Sequence, residues 1–295
     1  MDHPPAFESI RPPEISRSEP PVPPAAHGGR KRRWLRVRTY LSASHHVISI
    51  VTIAGLLVLW IVATRQGWIK PLFLPPPETI GTALQQAVNG ELDGEPLWNH
   101  LLASLLRVVE AFVLAVILGV PLGLAMGTSK IARGIFDPLI EFYRPLPPLA
   151  YLPLMIIWFG IGEPSKVLLI FLACLAPVAL AARSGVLSAS QDQINAARSM
   201  GASQVQVLLH VVLPAALPDI LVGLRIGMGV GWTTLVAAEM IAADTGIGQM
   251  VLNASNFLRT DVVIMGIFLI GICAGLFEFG IRWLERVLTP WKGKV

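Results

Sequence analysis

Six long apolar stretches constrain the fold of this chain more than any other feature. Each is close to or longer than the roughly 20 residues that a helix needs to cross a bilayer. The stretches cover residues 47–64, 101–127, 140–160, 166–188, 219–243 and 262–284. Because lipid offers the backbone no hydrogen-bond partners, such segments must be helical. They predict an all-α polytopic membrane protein with six transmembrane helices.

The overall composition agrees with this interpretation and excludes an ordinary soluble domain. Hydrophobic residues make up 54% of the chain and charged residues only 14%, whereas soluble domains carry about 25% charged residues. The two cysteines, Cys174 and Cys273, both fall in apolar runs, so no disulfide framework is expected. The basic residues are scattered along the flanks of the spans, and this distribution argues against nucleic acid as a partner.

The distribution of charge predicts the domain organisation and the orientation. We expect a disordered, Pro-rich and basic tail over 1–46, a transmembrane domain over 47–288 and a C-terminal tail over 289–295. With six spans and both ends on one side, sixteen Lys and Arg residues fall on that side and four on the other. The positive-inside rule therefore predicts that both termini are cytoplasmic and that the protein is a multi-pass component of the cytoplasmic membrane.

Prolines interrupt two of the predicted spans. The third span contains Pro145, Pro147, Pro148 and Pro153, and Pro177 lies within the fourth. Backbone breaks at membrane depth are tolerated where neighbouring protein or a water-filled cavity satisfies the freed polar groups. The prolines therefore favour a translocation path near these segments.

A polar segment between the fourth and fifth spans, residues 190–214, is the most informative part of the chain; we call it the elbow. Ser190 with Gln193, and Ser203 with Gln206, have the spacing of two helix-capping boxes. They predict two short helices with a turn at Gly201, the second ending at Leu213 and Pro214. Val205, Leu208, Leu209 and Val212 have the spacing of one apolar helix face. By amphipathicity alone, a loop that lies on the inner leaflet is the favoured interpretation of the elbow.

The elbow also resembles a sequence signature of bacterial ABC import permeases. That signature places Glu-Ala-Ala, a glycine, an isoleucine and Leu-Pro at fixed spacings, and this chain has matching residues at each position, with Asn for Glu and Val for Ile. The matching residues are Asn195, Ala196, Ala197, Gly201, Val211, Leu213 and Pro214. Further segments, such as 144–150, 157–162 and 231–239, are similar to the nitrate, sulfonate and taurine branch of these permeases.

The resemblance implies a type I ABC importer permease fold and a set of partners. The partners are a second copy of the chain, two ATP-binding subunits that contact the elbow, and a periplasmic solute-binding protein. The implied cargo is taurine or a related small sulfonate, with an alkanesulfonate or nitrate as the alternatives. An ion-coupled secondary transporter is a more distant alternative, because the chain shows no convincing internal repeat.

The chain itself has no residues suited to ATP hydrolysis or other catalysis. It has no Gly-x-x-x-x-Gly-Lys-Ser/Thr phosphate loop, and no metal site or catalytic triad is evident in its sequence. We therefore expect no enzyme activity and no cofactor in this subunit, with ATP and Mg²⁺ bound by the partner ATPase subunits.

Ionisable and small residues inside the spans complete the set of candidates. Arg107 with Glu110, and Glu141 with Arg144, have i,i+3 spacing that favours mutual neutralisation, whereas Glu239 has no basic residue within four positions. Glu239 could cap loop amides or line the path. We expect Trp232, Thr233, Thr234 and Glu239 to border the translocation path. Two stripes at spacing four, Gly119/Gly123/Gly127 and Gly223/Gly227/Gly231, predict close helix packing.

Overall fold

The structure is a computed structural model that describes residues 29–92 and 94–291, with side chains from residue 47 onward. These residues form helices and connecting segments, and no strand occurs among them. The α-helices are α1 (Gly29–Arg65), α2 (Pro77–Asn89), α3 (Leu97–Thr128), α4 (Lys130–Tyr143), α5 (Leu152–Phe159), α6 (Glu163–Ser188), α7 (Gln191–Ser199), α8 (Gln204–Val207), α9 (Leu213–Ala242), α10 (Ile247–Asn256) and α11 (Thr260–Leu288).

Within the described residues, five helices are long and apolar enough to cross a membrane. They are Val47–Arg65, Leu97–Thr128, Glu163–Ser188, Gln204–Ala242 and Thr260–Leu288. They coincide with five of the six predicted spans, and the prediction of an all-α membrane protein is confirmed.

The third predicted span, 140–160, is not one continuous helix. Helix α4 ends at Tyr143, a 3₁₀ turn covers Pro148–Tyr151, and α5 runs only from Leu152 to Phe159. The prolines explain the interruption, because proline lacks an amide hydrogen and disfavours helix at the residue before it. The turn and α5 together extend about 20 Å, which is short of a full hydrocarbon core.

The chain divides into two compact units, Met1–Leu59 and Trp60–Val295. Helix α1 begins at Gly29, well before residue 47, where the sequence analysis placed the end of a disordered tail. No proline follows Gly29 within α1, so the basic segment can continue the helix of the apolar run behind it. The first residues of the predicted tail, 1–28, lie outside the described residues.

Helix α6 forms the centre of the second unit, with α3 and α9 packed against it. The two glycine stripes make this packing possible. A Cβ atom on Gly123 would lie 2.3 Å from the carbonyl oxygen of Ala179, and one on Gly223 would lie 2.1 Å from the Cβ of Ala181. Both stripes therefore lie directly against α6, and the predicted close packing occurs within the subunit.

A smaller apolar cluster closes the end of the bundle opposite the elbow. Helix α2 begins at Pro77, the last proline of the Pro75–Pro77 run, and ends before Gly90, which has a left-handed conformation. Ala83 and Ala87 of α2 pack with buried residues of α10 and α11. These short helices hold the 244–248 loop at the end of α9, where the charged residues described below converge.

Candidate functional site

The elbow has the local structure that its capping residues predict. The Ser190 hydroxyl accepts a hydrogen bond from the Gln193 amide, and the Gln193 side chain accepts one from the Ser190 amide. Ser203 and Gln206 repeat this arrangement at the start of α8. Both predicted capping boxes are therefore confirmed. Between them Gly201 has a φ of +86°, a left-handed conformation that glycine adopts without steric strain.

The second short helix does not end at Leu213 and Pro214, as the sequence analysis expected. Helix α8 continues through one turn of π-helix, Leu208–Val212, directly into α9. In this wider turn the Leu213 amide donates to the carbonyl of Leu208, and the missing amide of Pro214 falls in the first turn of α9. The π-turn relieves the clash that proline causes in a regular helix. The elbow is thus a direct extension of a long helix.

The residues of the permease signature are divided between the surface and the interior of the elbow. Asn195, Ala196 and Gly201 are exposed. Ala197 is buried and packs with Val207 and Val212 against Val186 at the end of α6. Val211, Leu213 and Pro214 are partly buried. Ala197 and Val211 therefore hold α7 and the π-turn together, while the exposed members remain available for contact with another protein.

The apolar face of the elbow differs from the expected one. Val207 and Val212 are buried, whereas Val205 is 63% exposed and Leu209 is 50% exposed. The π-turn adds a residue to the helical repeat, so the spacing from Val205 to Val212 no longer defines one face. Met200, which is 82% exposed, adds a third large apolar side chain to the solvent-facing surface of this polar segment. Exposed apolar side chains of this kind are typical of a contact surface for another protein.

The far end of α9 holds a cluster of four charged residues, Arg107, Glu163, Lys166 and Glu239, which we call the ion cluster. Glu163 is 58% exposed, and the other three are buried. Arg107 of α3 donates from Nε and Nη2 to the two carboxylate oxygens of Glu163, at 2.5 and 2.8 Å. Its Nη1 donates to Glu239 Oε1 at 2.7 Å, and Lys166 Nζ donates to Glu163 Oε1 at 2.8 Å. Two cations and two anions thus neutralise one another across three long helices.

Glu239 also organises the loop that follows α9. Its carboxylate accepts hydrogen bonds from the Ser104 hydroxyl at 2.7 Å and from the Gly248 amide at 2.9 Å. Arg107 Nη1 donates in addition to the carbonyl of Thr245 at 2.6 Å. Gly246 has a φ of +144°, and a Cβ atom there would lie 2.4 Å from the Glu239 carboxyl carbon. Of the two sequence interpretations of Glu239, the structure shows the capping of loop amides.

The ion pair that the sequence predicted for Arg107, with Glu110, is therefore wrong. It binds Glu163 and Glu239, while Glu110 is exposed. Glu141 and Arg144 likewise form no ion pair within the described part of the chain. The sequence analysis missed Ser104, Glu163 and Lys166. Glu163 and Lys166 have i,i+3 spacing that could have indicated their pair, whereas the contacts of Ser104 and Glu163 with α9 and α3 join residues distant along the chain.

Four α9 residues were expected to border a translocation path. Trp232, Thr234 and Glu239 are buried inside the protomer, and the Trp232 ring packs edge-on against Phe277. Only Thr233 is exposed, with its hydroxyl donating to the Val230 carbonyl at 2.8 Å. The structure therefore brings these four residues to two different faces of α9.

A cavity of about 360 Å³ opens beside the interrupted segment after α4. Its wall comes from residues 143–151, from α6 around Pro177, and from Val230 of α9. The cavity thus lies at the break that the run of prolines predicted.

A bundle of long apolar helices, a helix that continues into an exposed elbow, and a cavity beside a broken helix are typical of a helical membrane transport protein. The fold has a TM-score of 0.55 to a chain from the MetNI methionine ABC transporter, solved in inward-facing conformations, over 65% of this chain and 97% of that one at 20% identity. Residues 111–291 match the family described as binding-protein-dependent transport system inner membrane component. The chain belongs to this family.

Three curated relatives show where the chain lies within the family. It is 59% identical to the taurine transport system permease protein TauC of Escherichia coli K12, over 84% of this chain and 90% of the relative. It is 38% identical to the putative aliphatic sulfonates transport permease protein SsuC of the same organism, over 80% and 89%. It is 31% identical to the nitrate import permease protein NrtB of Synechocystis, over 90% and 98%.

Proposed function

We propose that this chain is the transmembrane subunit of an ATP-driven importer that moves taurine, or a closely related small sulfonate, into the cytoplasm. The observation that carries the proposal is the 59% identity to a taurine permease over most of both chains. Identity to the named sulfonate and nitrate permeases is much lower, at 38% and 31%. An alkanesulfonate or nitrate is therefore the second choice of cargo.

The proposed assembly contains two copies of this chain, two ATP-binding subunits and a periplasmic solute-binding protein, in the bacterial inner membrane. ATP and Mg²⁺ are bound and used by the ATP-binding subunits, and this chain hydrolyses nothing. Both termini and the elbow face the cytoplasm. Membership in a binding-protein-dependent family supports this set of partners.

The elbow is the proposed contact with the ATP-binding subunit. Met200, Val205 and Leu209 present apolar side chains to solvent, and burial of each in an interface would be favourable by about 1.5–3 kcal/mol at most. Because α8, the π-turn and α9 form one uninterrupted helical path, a displacement of the elbow would move α9 itself. Closure of the ATP-binding subunits would in this way change the position of α9 along the translocation path.

The proposed translocation path follows the exposed face of α9 that carries Thr233. Val230 lies one turn earlier on this face and forms part of the cavity wall. Trp232, Thr234 and Glu239 take a supporting role, since they are buried against neighbouring helices. Polar but uncharged groups along a path suit a zwitterion such as taurine, because a deep binding well would slow its release.

Reconstitution tests the function directly. The complete complex in proteoliposomes, with ATP on the ATPase side and the binding protein on the other, should accumulate radiolabelled taurine. Nitrate and a longer alkanesulfonate should compete weakly. Accumulation of nitrate in preference to taurine would contradict the proposed cargo, and accumulation that follows an ion gradient without ATP would contradict the class of transporter.

The elbow contact has its own test. Leu209→Asp and Gly201→Glu should leave the protein in the membrane but abolish stimulation of ATP hydrolysis by the loaded binding protein. Leu209→Met is the matched control, since it keeps an apolar side chain at the same exposed position and should retain stimulation. Normal stimulation in assembled Leu209→Asp or Gly201→Glu would disprove this assignment.

A further inference from the structure

The interrupted segment after α4 lies at the level of the membrane interior and is exposed. Its cavity extends to Pro177 and Val230, which lie near the middle of the transmembrane helices α6 and α9. Most of the segment 144–150 is exposed. Pro145 and Pro148 have no amide, so the carbonyls one turn before them cannot receive the usual helical hydrogen bond. Irregular backbone of this kind does not face lipid, because hydrocarbon offers it no hydrogen-bond partner.

The side chains along this segment also exclude lipid as its only neighbour. Arg144 is exposed, and a cation at this depth faces water or protein rather than hydrocarbon. Further along the segment, Ile157 is 77% exposed and Trp158 is 62% exposed. A surface that combines broken backbone, a cation and large apolar side chains is typical of a contact with another protein.

Helix α9 adds an exposed face beside the same cavity. Ile226, Gly229 and Thr233 are exposed on this face, and Val230, which lines the cavity, lies next to them. A Cβ atom on Gly229 would meet no described atom within 4 Å, unlike the glycines of α9 that pack against α6. Gly229 and Thr233 are small residues at spacing four, so another helix can approach α9 closely here.

We infer that the second copy of this chain docks on the surface formed by residues 144–161 and by the face of α9 that carries Ile226, Gly229 and Thr233; we call it the docking surface. The inference rests on the proposed function for the presence of two copies. Among the proposed subunits only the second copy spans the membrane, since the ATP-binding subunits and the binding protein act on either side of it. This face of α9 carries no charged side chain, so two copies of it can face each other across a two-fold axis without repulsion.

Docking on this surface completes the translocation path. The second copy places protein next to the broken backbone, and the cavity beside Val230 then lies between the two copies. Thr233 of each copy borders a path whose opposite wall belongs to the partner. The path is therefore incomplete in a single protomer.

Disulfide cross-linking in the membrane tests the contact. A two-fold axis beside α9 brings equivalent residues of two copies close together, so Gly229→Cys or Thr233→Cys should form covalent dimers when the complete complex is oxidised. The native Cys174 and Cys273 are buried, and the parent complex gives their background. Phe279→Cys, at an exposed position of α11, is the control and should give several-fold less covalent dimer.

Quenching by lipid distinguishes protein from lipid as the occupant. Ile226 and Phe279 lie at matched depth, because their neighbours Arg225 and Glu278 approach to 3.9 Å, and both are more than half exposed in the protomer. A fluorescent thiol label on Ile226→Cys should be quenched several-fold less by brominated phosphatidylcholine than the same label on Phe279→Cys, in the complex reconstituted into vesicles of that lipid.

A steric variant ties the cross-link to the open space at Gly229. Gly229→Leu should lower the yield of the Thr233→Cys dimer several-fold, because the added side chain would meet the partner copy. Gly275→Leu is the matched control and should leave the yield unchanged, since an added Cβ at either glycine meets no described atom of its own protomer within 4 Å.

The outcomes separate this inference from the proposed function. Equal quenching at positions 226 and 279, equal dimer yields in the α9 and α11 variants, or an unchanged yield in Gly229→Leu would overturn the docking surface. If cross-links are absent in every nucleotide state while ATP drives taurine uptake, the docking surface fails and the proposed function stands. If cross-links form but ATP drives no uptake of taurine, the proposed function fails and the docking surface stands.

Discussion

The two ends of α9 differ in exposure and in the range of the hydrogen bonds that hold them. At one end the helix continues into the elbow, whose polar groups are solvated and whose hydrogen bonds join residues three positions apart. At the other end, about 45 Å away along the helix, Glu239 is buried and binds Ser104 and Arg107, which are 135 and 132 positions away in the chain. One end is held largely by short-range capping bonds and a small apolar cluster, whereas the other is joined to the rest of the bundle by long-range polar contacts.

This difference assigns separate mechanical roles to the two ends. Exposed helices held by local capping bonds open at low free-energy cost and reorient readily. A buried charge network resists opening, because separating any pair leaves an uncompensated charge in a medium of low polarity. A movement applied at the elbow would therefore be transmitted to α3 and α6 as rigid bodies at the ion cluster, rather than dissipated in the loop over 243–248.

The largest expected effect comes from breaking the ion cluster. Arg107→Met removes the cation that faces Glu239, whose side chain is fully buried, and should lower the free energy of unfolding by about 3–5 kcal/mol. The measurement is thermal unfolding of the purified protein in detergent. Adding Glu239→Gln to Arg107→Met should recover part of the loss, because the uncompensated charge is then gone.

Arg225→Met serves as the control for this experiment. Arg225 is partly exposed and lies 3.6 Å or more from the carboxylates of Glu278 and Glu285, so its removal should cost about 1 kcal/mol or less. Similar losses in Arg107→Met and Arg225→Met would show that burial of the cluster does not contribute to stability as the structure indicates.

An intermediate effect is expected at Gly246, where the loop approaches the cluster. Gly246→Ala should destabilise the protein by about 2–3 kcal/mol, because the new methyl group would displace the Glu239 carboxylate and the residue has a φ of +144°. Gly275→Ala in α11 is the matched control, since no atom lies within 4 Å of its added Cβ, and it should stabilise the helix by up to about 1 kcal/mol. If Gly246→Ala left the free energy of unfolding unchanged, close packing of this loop against the ion cluster would not contribute to stability.

The same contrast explains how much the sequence could predict. The capping boxes and the turn at Gly201 depend on residues within four positions, and all were predicted correctly. The permease family was likewise evident from short motifs. The partners of Glu239 could not be deduced, because an ion pair between helices depends on their packing and has no fixed spacing.

The failures in the local predictions also have physical causes. The third span was counted from its apolar composition, which reports transfer to lipid and not helical continuity, and the prolines at 145, 147 and 148 interrupt it as the sequence analysis expected. The end of the elbow was placed at Pro214 because proline usually interrupts a helix. A π-turn before it is a rare solution, and the sequence carries no evident signal for it.

The smallest expected effect distinguishes local from global stability at the elbow itself. Ser203→Ala removes the hydroxyl that accepts from the Gln206 amide, and the loss of one such cap costs about 1 kcal/mol. Because α8 is short and exposed, this cost should appear as roughly fivefold faster hydrogen exchange at amides 204–207 with an unchanged unfolding temperature. Ser199→Ala is the control, since its hydroxyl donates to the Asn195 carbonyl and caps no amide. If Ser203→Ala instead lowered the unfolding temperature as much as Arg107→Met, the elbow would be part of the global folding unit, and the contrast between the two ends of α9 would not hold.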